Sequence, residues 1–180
     1  MKHYTSLSYF LSLLTATIVM SVFLGGCSAT LSAGATGVLS TIQQKTLNLA
    51  TKRSLDSAGI DAKFLGEKTY YLIFSDIGQA DIGKQHVCGT VRSEISERGG
   101  RFVDDQKDAD CILECTIHLA GIDTRPGSII VVRWIDTRSE VDISVNKKCG
   151  QIIETKRGSE SAKFNQIVWF FGHTISESLK

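Results

Sequence analysis

The chain has 180 residues, with 20 lysine or arginine residues and 19 aspartate or glutamate residues, so its formal net charge at pH 7 is +1. This balance gives no argument for binding nucleic acid or another polyanion. The length fits one ordinary domain with some additional sequence, and the hydrophobic content of 42% is typical of a globular domain. Proline occurs once, which excludes a proline-rich spacer.

The N-terminal segment has the organisation of a secretory signal peptide. Lys2 precedes a mostly apolar run from Tyr9 to Leu24, and two glycines then precede Cys27. An uncleaved transmembrane helix, the alternative, needs about 20 apolar residues, whereas this run is shorter and contains serine and threonine. We therefore predict that residues 1–26 are a signal peptide.

The sequence Leu24-Gly25-Gly26-Cys27 resembles the lipobox of bacterial lipoproteins. The resemblance implies that Cys27 receives a diacylglycerol on its thiol and becomes the first residue of the mature chain, anchored by palmitate or a similar acyl chain. Two acyl chains are enough for stable anchoring. The alternative is an ordinary cysteine after a conventional signal. In the sorting rule of Gram-negative lipoproteins, an aspartate after the cysteine retains the protein in the inner membrane. Ser28 therefore favours the periplasmic face of the outer membrane.

The rest of the chain is predicted to form a tether and one domain. Residues 27–37 are mostly small and predict a flexible lipidated tether, and residues 38–180 predict a single α+β domain. Removing residues 1–26 leaves 154 residues with 19 basic and 19 acidic side chains.

Two helices and two strands are predicted in the first half of the domain. Apolar residues at helical spacing predict a helix from about Val38 to about Gly59, and a second helix is predicted from an N-cap at Asp81 to about Arg98. Thr69–Phe74 is a strand candidate that is aromatic and β-branched. Residues 101–103 predict a short strand, which a charged turn follows.

The second half is predicted to be an antiparallel meander. Cys111–Ile122 alternates between apolar and polar residues, as a strand with one buried face does. Arg125-Pro126-Gly127-Ser128 has the residues of a type II turn, and Ser128–Trp134 is a further strand candidate. Residues 140–146 alternate again, residues 147–150 predict a turn, and residues 151–154 predict the start of a returning strand. These elements predict an α+β fold: a mixed, largely antiparallel sheet with helices packed on one face and polar residues on the other.

Four cysteines besides Cys27 allow three disulfide pairings, and the sequence alone does not choose one. The phase of the predicted strands favours Cys111 with Cys149. Cys88 and Cys115 lie on apolar faces, where free cysteines behave as small hydrophobic residues.

Little in the sequence points to catalysis or to a metal. On a strand, His118 faces away from Cys111 and Cys115, so these three residues make a poor zinc site and His118 makes a poor partner for a nucleophilic cysteine. The aspartates at 104, 105, 108 and 110 lack the spacing of a calcium loop. No nucleophile elbow and no phosphate-binding loop are recognisable. We expect no cofactor, no metal and no enzymatic activity.

Aromatic residues are concentrated in two places. Trp134 ends an apolar run, and Trp169, Phe170 and Phe171 lie together near the C-terminus. Such residues either close the core or form an exposed surface that contacts a partner or a membrane. We treat these four residues as candidates for partner contact.

The order of elements resembles that of a family of small bacterial lipoproteins that carries a domain of unknown function. The resemblance rests on Leu65–Leu72, Gly99-Gly100, Val103, Asp108-Ala109-Asp110 and the stretch from Ser161 to Gly172. More distantly, the order is similar to lipoproteins of envelope assembly and surface exclusion. The likeness implies a non-catalytic envelope protein that binds or helps to assemble a membrane or periplasmic partner, and it assigns no functional residue. The alternatives are an exported binder of small molecules or glycans and an unrecognised hydrolase.

Overall fold

The computed structural model describes residues 39–75, 82–129, 132–169 and 174–180. The predicted signal peptide, Cys27, the tether, Asp81, Phe170 and Phe171 lie outside the described residues. The helices are α1 (Thr41–Ser57), α2 (Ala62–Leu65) and α3 (Ile82–Glu97). The strands are β1 (Thr69–Ser75), β2 (Arg101–Phe102), β3 (Cys111–Ile129), β4 (Val132–Cys149), β5 (Ile152–Trp169) and β6 (Thr174–Leu179).

The six strands form one mixed sheet in the order β2-β1-β3-β4-β5-β6. Strand β1 pairs in parallel with β2 and with β3, and the other neighbours pair antiparallel. The predicted α+β class and mixed sheet are therefore confirmed. None of the described helices is long and apolar enough to cross a membrane.

Helices α1 and α3 share one hydrophobic core with alternate residues of the strands. The core includes Leu47 and Leu55 of α1, Val91 of α3, and Leu113 and Ile143 of the sheet. Helix α1 begins with a capping box, in which the Ser40 hydroxyl accepts from the Gln43 backbone N–H and the Gln43 side chain accepts from the Ser40 backbone N–H. This cap satisfies two of the donors that a helix start leaves unpaired.

The C-terminal part of α1 lies directly on the sheet. The Ser54 hydroxyl donates to the Val141 carbonyl over 2.8 Å, and Gly158 of β5 faces the backbone of α1. A Cβ atom at residue 158 would collide with the Ser54 carbonyl oxygen and would lie 2.9 Å from the Ala58 nitrogen. Glycine at this position therefore permits the close approach of helix and strand.

Strand β3 is longer than the sequence predicted. It continues through Pro126 and Gly127, which pair with Ile135 and Trp134, so the predicted turn at Arg125–Ser128 is wrong. Past Thr116, which is the last partner of β1, β4 is the only described neighbour of β3. A proline is tolerated in such an edge segment, where its missing N–H costs no ladder hydrogen bond.

The predicted strand Ser128–Trp134 is likewise divided between the end of β3 and the start of β4, whose terminal residues Ile129 and Val132 pair with each other. Strands β5 and β6 were not predicted beyond residue 154. The polar and apolar residues of β5 do not alternate cleanly, because only Gly158, Ala162 and Phe164 of this strand are buried and burial therefore imposes little pattern on it.

A disulfide joins Cys111, the first residue of β3, to Cys149, the last residue of β4, with a Cα–Cα distance of 4.5 Å. Directly opposed residues of an antiparallel pair lie at this separation when they do not exchange backbone hydrogen bonds, and a disulfide accommodates it. This is the pairing that the phase of the strands favoured. Cys88 and Cys115 are free.

Candidate functional site

The two tryptophans predicted to contact a partner lie on neighbouring strands and on the same face of the sheet. Val132 pairs with Trp169, and Trp134, two residues further along β4, pairs with Ile167. In β4 the core residues have odd numbers, so Trp134 faces away from the helices. The structure therefore brings Trp134 and Trp169 together on the open face.

Three aliphatic residues complete this cluster, and paired residues within it have Cβ atoms about 5 Å apart. We name the cluster the distal patch. It consists of Ile129, Val132, Trp134, Ile167 and Trp169. Four of the side chains are well exposed: Ile129 is 64% exposed, Trp134 and Ile167 are each 38% exposed, and Trp169 is 47% exposed. An exposed contiguous apolar cluster is a common mark of an interaction site.

The indole of Trp134 lies against the backbone of Gly127, its partner on β3. A Cβ atom built on Gly127 would lie only 2.1–2.4 Å from three ring atoms of Trp134. An aromatic ring over a cross-strand glycine covers backbone that the glycine leaves bare. Gly127 thus has a defined role in orienting Trp134, although its sequence pattern was interpreted as a turn.

The distal patch lies beyond the part of the sheet that the helices cover. On β4 the buried residues begin at Thr137. On β3 the last buried residue is Ile117, and the last described hydrophobic residue that packs against the core is the partly buried Ile122. Thr124 pairs with Thr137. From Thr124 to Ile129 the strand advances about 17 Å at 3.4 Å per residue. Strands β3, β4 and β5 therefore carry the patch on an arm whose two faces have no helix against them among the described residues.

The open face between this arm and the disulfide is polar and carries several charge pairs. Lys148 bonds to Glu114 over 2.7 Å, and Arg157 makes two hydrogen bonds to Asp142 at 3.0 and 2.6 Å. The hydrogen bond from Lys148 lowers the pKa of Glu114, and that from Arg157 lowers the pKa of Asp142. Nearer the patch, Lys163 lies 3.1 Å from Asp136. The patch is therefore an apolar area at one end of a polar surface.

The cysteine and histidine residues considered for chemistry do not come together. Cys115 is fully buried, while His118 is exposed at a bulge of β3 and bonds to the Ser144 hydroxyl over 2.9 Å. Burial raises the pKa of Cys115 to about 12, which leaves almost no thiolate at neutral pH. Within the described residues, no three histidine, cysteine or acidic side chains are grouped so that they could hold a metal ion.

The charged residues of a cleft between α1 and α3 hold parts of the fold together. Its central residue, Arg98, donates to the Ile60 carbonyl over 2.6 Å and pairs with Asp56 and Glu94 at 2.8 and 3.3 Å. These contacts join the C-terminal parts of both helices to the segment between them. The N–H groups of the Arg98 guanidinium therefore donate to carbonyl and carboxylate oxygens of the fold itself.

A comparison with models of known protein families finds no match, and a comparison with curated proteins finds none either.

The sequence alone identified Trp134 and Trp169 but missed the aliphatic part of the patch. Ile129 and Ile167 join the tryptophans only through the pairing of β3, β4 and β5. Since pairing joins residues far apart in sequence, no local pattern contains it. The apolar run Ile129–Trp134 was a partial signal of the patch, because it lies beyond Ile122, where the alternating pattern of the strand ends.

Proposed function

We propose that this protein is a lipid-anchored, non-catalytic component of the bacterial cell envelope that docks on a membrane or periplasmic partner through its distal patch. The observation that carries the docking is the exposed cluster around Trp134 and Trp169. Tryptophan is among the residues most enriched at the energetic centres of interfaces. The anchor rests on the sequence Leu24-Gly25-Gly26-Cys27.

The position of the patch supports a role in binding over a role in folding. The hydrophobic core forms between the helices and the opposite face of the sheet. The patch residues contribute nothing to that core, and their exposed area opposes solubility. We therefore expect a partner or a membrane to cover the distal patch in the functional state of the protein.

The non-catalytic part of the proposal is supported by the state of the reactive side chains. The buried Cys115 thiol has a raised pKa, and the exposed His118 lies on the other face of the sheet. The acidic groups with lowered pKa values, Glu114 and Asp142, are held as carboxylates by basic partners. A general acid or base is instead tuned towards the working pH.

The proposed location is the periplasmic face of the outer membrane, attached through the lipid on Cys27. Ser28 supports this location over the inner membrane. The disulfide between Cys111 and Cys149 is compatible with an exported protein, because such bonds persist in oxidising compartments.

The anchor is tested by radioactive palmitate labelling and membrane fractionation of Cys27→Ala. A matched control is Cys88→Ala, which removes a cysteine of the domain and leaves the proposed lipidation site intact. We expect label in the wild type and the control, enriched in the outer-membrane fraction, and none in Cys27→Ala. Label retained by Cys27→Ala would exclude lipidation at that residue.

The docking surface is tested by a photo-crosslinking amino acid placed at Ile129 in living cells. The control position is Ile153, an exposed isoleucine on the same face of the sheet and about 54 Å away along the strands. We expect protein or lipid adducts from position 129 and none from position 153. Absence of any adduct at 129, with the protein correctly located, would contradict docking through the patch.

A further inference from the structure

The direction of helix α1 places the start of the domain at the same end of the molecule as the distal patch. Near the start of α1, the Gln43 side-chain amide donates to the Thr124 hydroxyl over 3.4 Å. Near its end, Ser54 contacts Val141 and Gly158. Thr124 is opposite Thr137, and Val141 is four residues further from the patch along β4. The N-terminus of α1 therefore points towards the patch.

Leu39 and Ser40, the first described residues of the chain, thus lie near the level where the arm leaves the core. Leu39 follows Cys27 by 12 residues, a length of chain that spans at most about 43 Å when extended. The arm reaches only about 17 Å beyond Thr124. The lipid on Cys27 and the patch can therefore contact one surface at the same time.

The composition of the patch fits the boundary of a bilayer. It combines two indoles, each an apolar ring system with one N–H donor, and three aliphatic side chains. Tryptophan is enriched at membrane–water interfaces because it is amphipathic. The patch itself contains no charged residue, so an apolar surface and not an anionic one is its natural complement.

We propose that the distal patch docks on the bilayer that holds the lipid of Cys27, an inference that rests on the proposed lipid anchor. The strands of the arm then point towards the membrane. The disulfide end of the sheet and the paired charges of the open face remain in the aqueous phase. The lipid provides attachment, and the patch gives the domain a fixed orientation on the membrane.

The chain contains two tryptophans, and both belong to the patch. Tryptophan fluorescence therefore reports on this surface alone. The full lipidated protein is reconstituted in phosphatidylethanolamine–phosphatidylglycerol vesicles, with or without bromine near the headgroup end of the acyl chains. We expect brominated lipid to quench the tryptophan emission of the vesicle-bound protein. Acrylamide, a quencher dissolved in water, should quench this emission less than it quenches the emission of the same protein in detergent-free buffer with excess urea.

The control protein has the substitutions Trp134→Phe, Trp169→Phe and Ile153→Trp, so its indole lies at the other end of the same face. Brominated lipid should not quench the emission of this control protein, whereas acrylamide should quench it. Vesicles that contain phosphatidylcholine alone should give the same pattern, since the proposed contact does not depend on anionic headgroups.

Three results would overturn the inference. The first is an acylated, vesicle-bound protein whose patch tryptophans brominated lipid does not quench. If these tryptophans are also shielded from acrylamide, a second copy or a protein partner covers the patch.

The second result that would overturn the inference is equal quenching of the control indole, which means that the domain lies flat. The third is protein without acyl label, which refutes the proposed anchor itself and is recognised by mass spectrometry before reconstitution.

Discussion

Replacing Cys111 and Cys149 together with alanine removes the cross-link between the start of β3 and the end of β4. Cys111 is buried beside the core, and Cys149 is partly buried. Alanine at both positions retains the Cβ atoms and removes only the two sulfurs. The main expected effect is therefore the loss of a constraint on the unfolded chain and not the disruption of packing.

The magnitude follows from the length of chain that the disulfide closes. The two cysteines are 38 residues apart. In the loop-entropy account, closing a loop of about 38 residues removes about 13 cal/mol/K of unfolded-state entropy, which is about 4 kcal/mol at 25 °C. Domains of this size typically have unfolding free energies of 5–15 kcal/mol. The loss is therefore a large part of the stability.

Urea unfolding followed by circular dichroism measures this effect. With a slope of about 2 kcal/mol per M, the midpoint should fall by about 2 M. A reducing agent should lower the midpoint of the wild type by a similar amount and leave the double variant unchanged. Cys88→Ala, which removes a free thiol, controls for the loss of a cysteine as such.

The reasoning would be refuted by a double variant whose midpoint lies within about 0.3 M of the wild type, since that difference is close to the resolution of the method. Peptide mapping under nonreducing conditions separates the two possible reasons. A linked peptide pair containing Cys111 and Cys149 would show that the bond forms and that the entropy estimate fails. Free thiols at both positions would show that the bond is absent.

Three further predictions concern other positions in the fold. Gly158→Ala should lower the free energy of unfolding by about 1–3 kcal/mol, because a Cβ there collides with α1. Gly121→Ala should not lower it, because the nearest neighbour of the new Cβ would be 3.8 Å away. Equal urea midpoints for the two variants would contradict the close contact at Gly158. In iodoacetamide at pH 8, Cys115 should react more slowly than Cys88, because burial raises its pKa to about 12; mass mapping that finds equal rates would contradict its burial. The lowered pKa of Asp142 contributes stability that is fully present above the unfolded-state pKa, about 3.8, and is lost as the pH falls through the lower folded-state value. Acidification below about pH 4 should therefore destabilise the wild type more than Asp142→Asn, and equal slopes of midpoint against pH would exclude this contribution.

The parts of the fold that the sequence predicted are those in which local pattern and burial agree. The alternation from Cys111 to Ile117 predicted a strand and its buried face, because that part of β3 lies under the helices. The same phase brought Cys111 opposite Cys149. The same alternation predicted that Leu119 is buried, which is wrong: Leu119 is 43% exposed, because a bulge between Ile117 and Leu119 shifts the phase of the strand. The helix predicted from about Val38 to about Gly59 matches α1 because its apolar stripe faces the core.

The prediction failed where a strand leaves the core. Pro126 and Gly127 have the composition of a turn, but β3 passes through both residues because β4 pairs with it along its whole length. Beyond the helices neither face of a strand is buried, so burial no longer imposes an alternating pattern. The candidate site lies in this same region, and its aliphatic members were missed for the same physical reason.

The location of the distal patch separates its function from the stability of the fold. Exposed side chains away from caps and packed contacts usually change stability by less than about 0.5 kcal/mol when replaced. Ile129 and Trp169 are of this kind, whereas Trp134 also covers Gly127. Substitution of Ile129 and Trp169 by serine is therefore expected to remove apolar contact area while the core between the helices and the sheet stays intact. A loss of docking in these variants at an unchanged urea midpoint can then be assigned to the surface itself, since neither Ile129 nor Trp169 belongs to the core that holds the domain together.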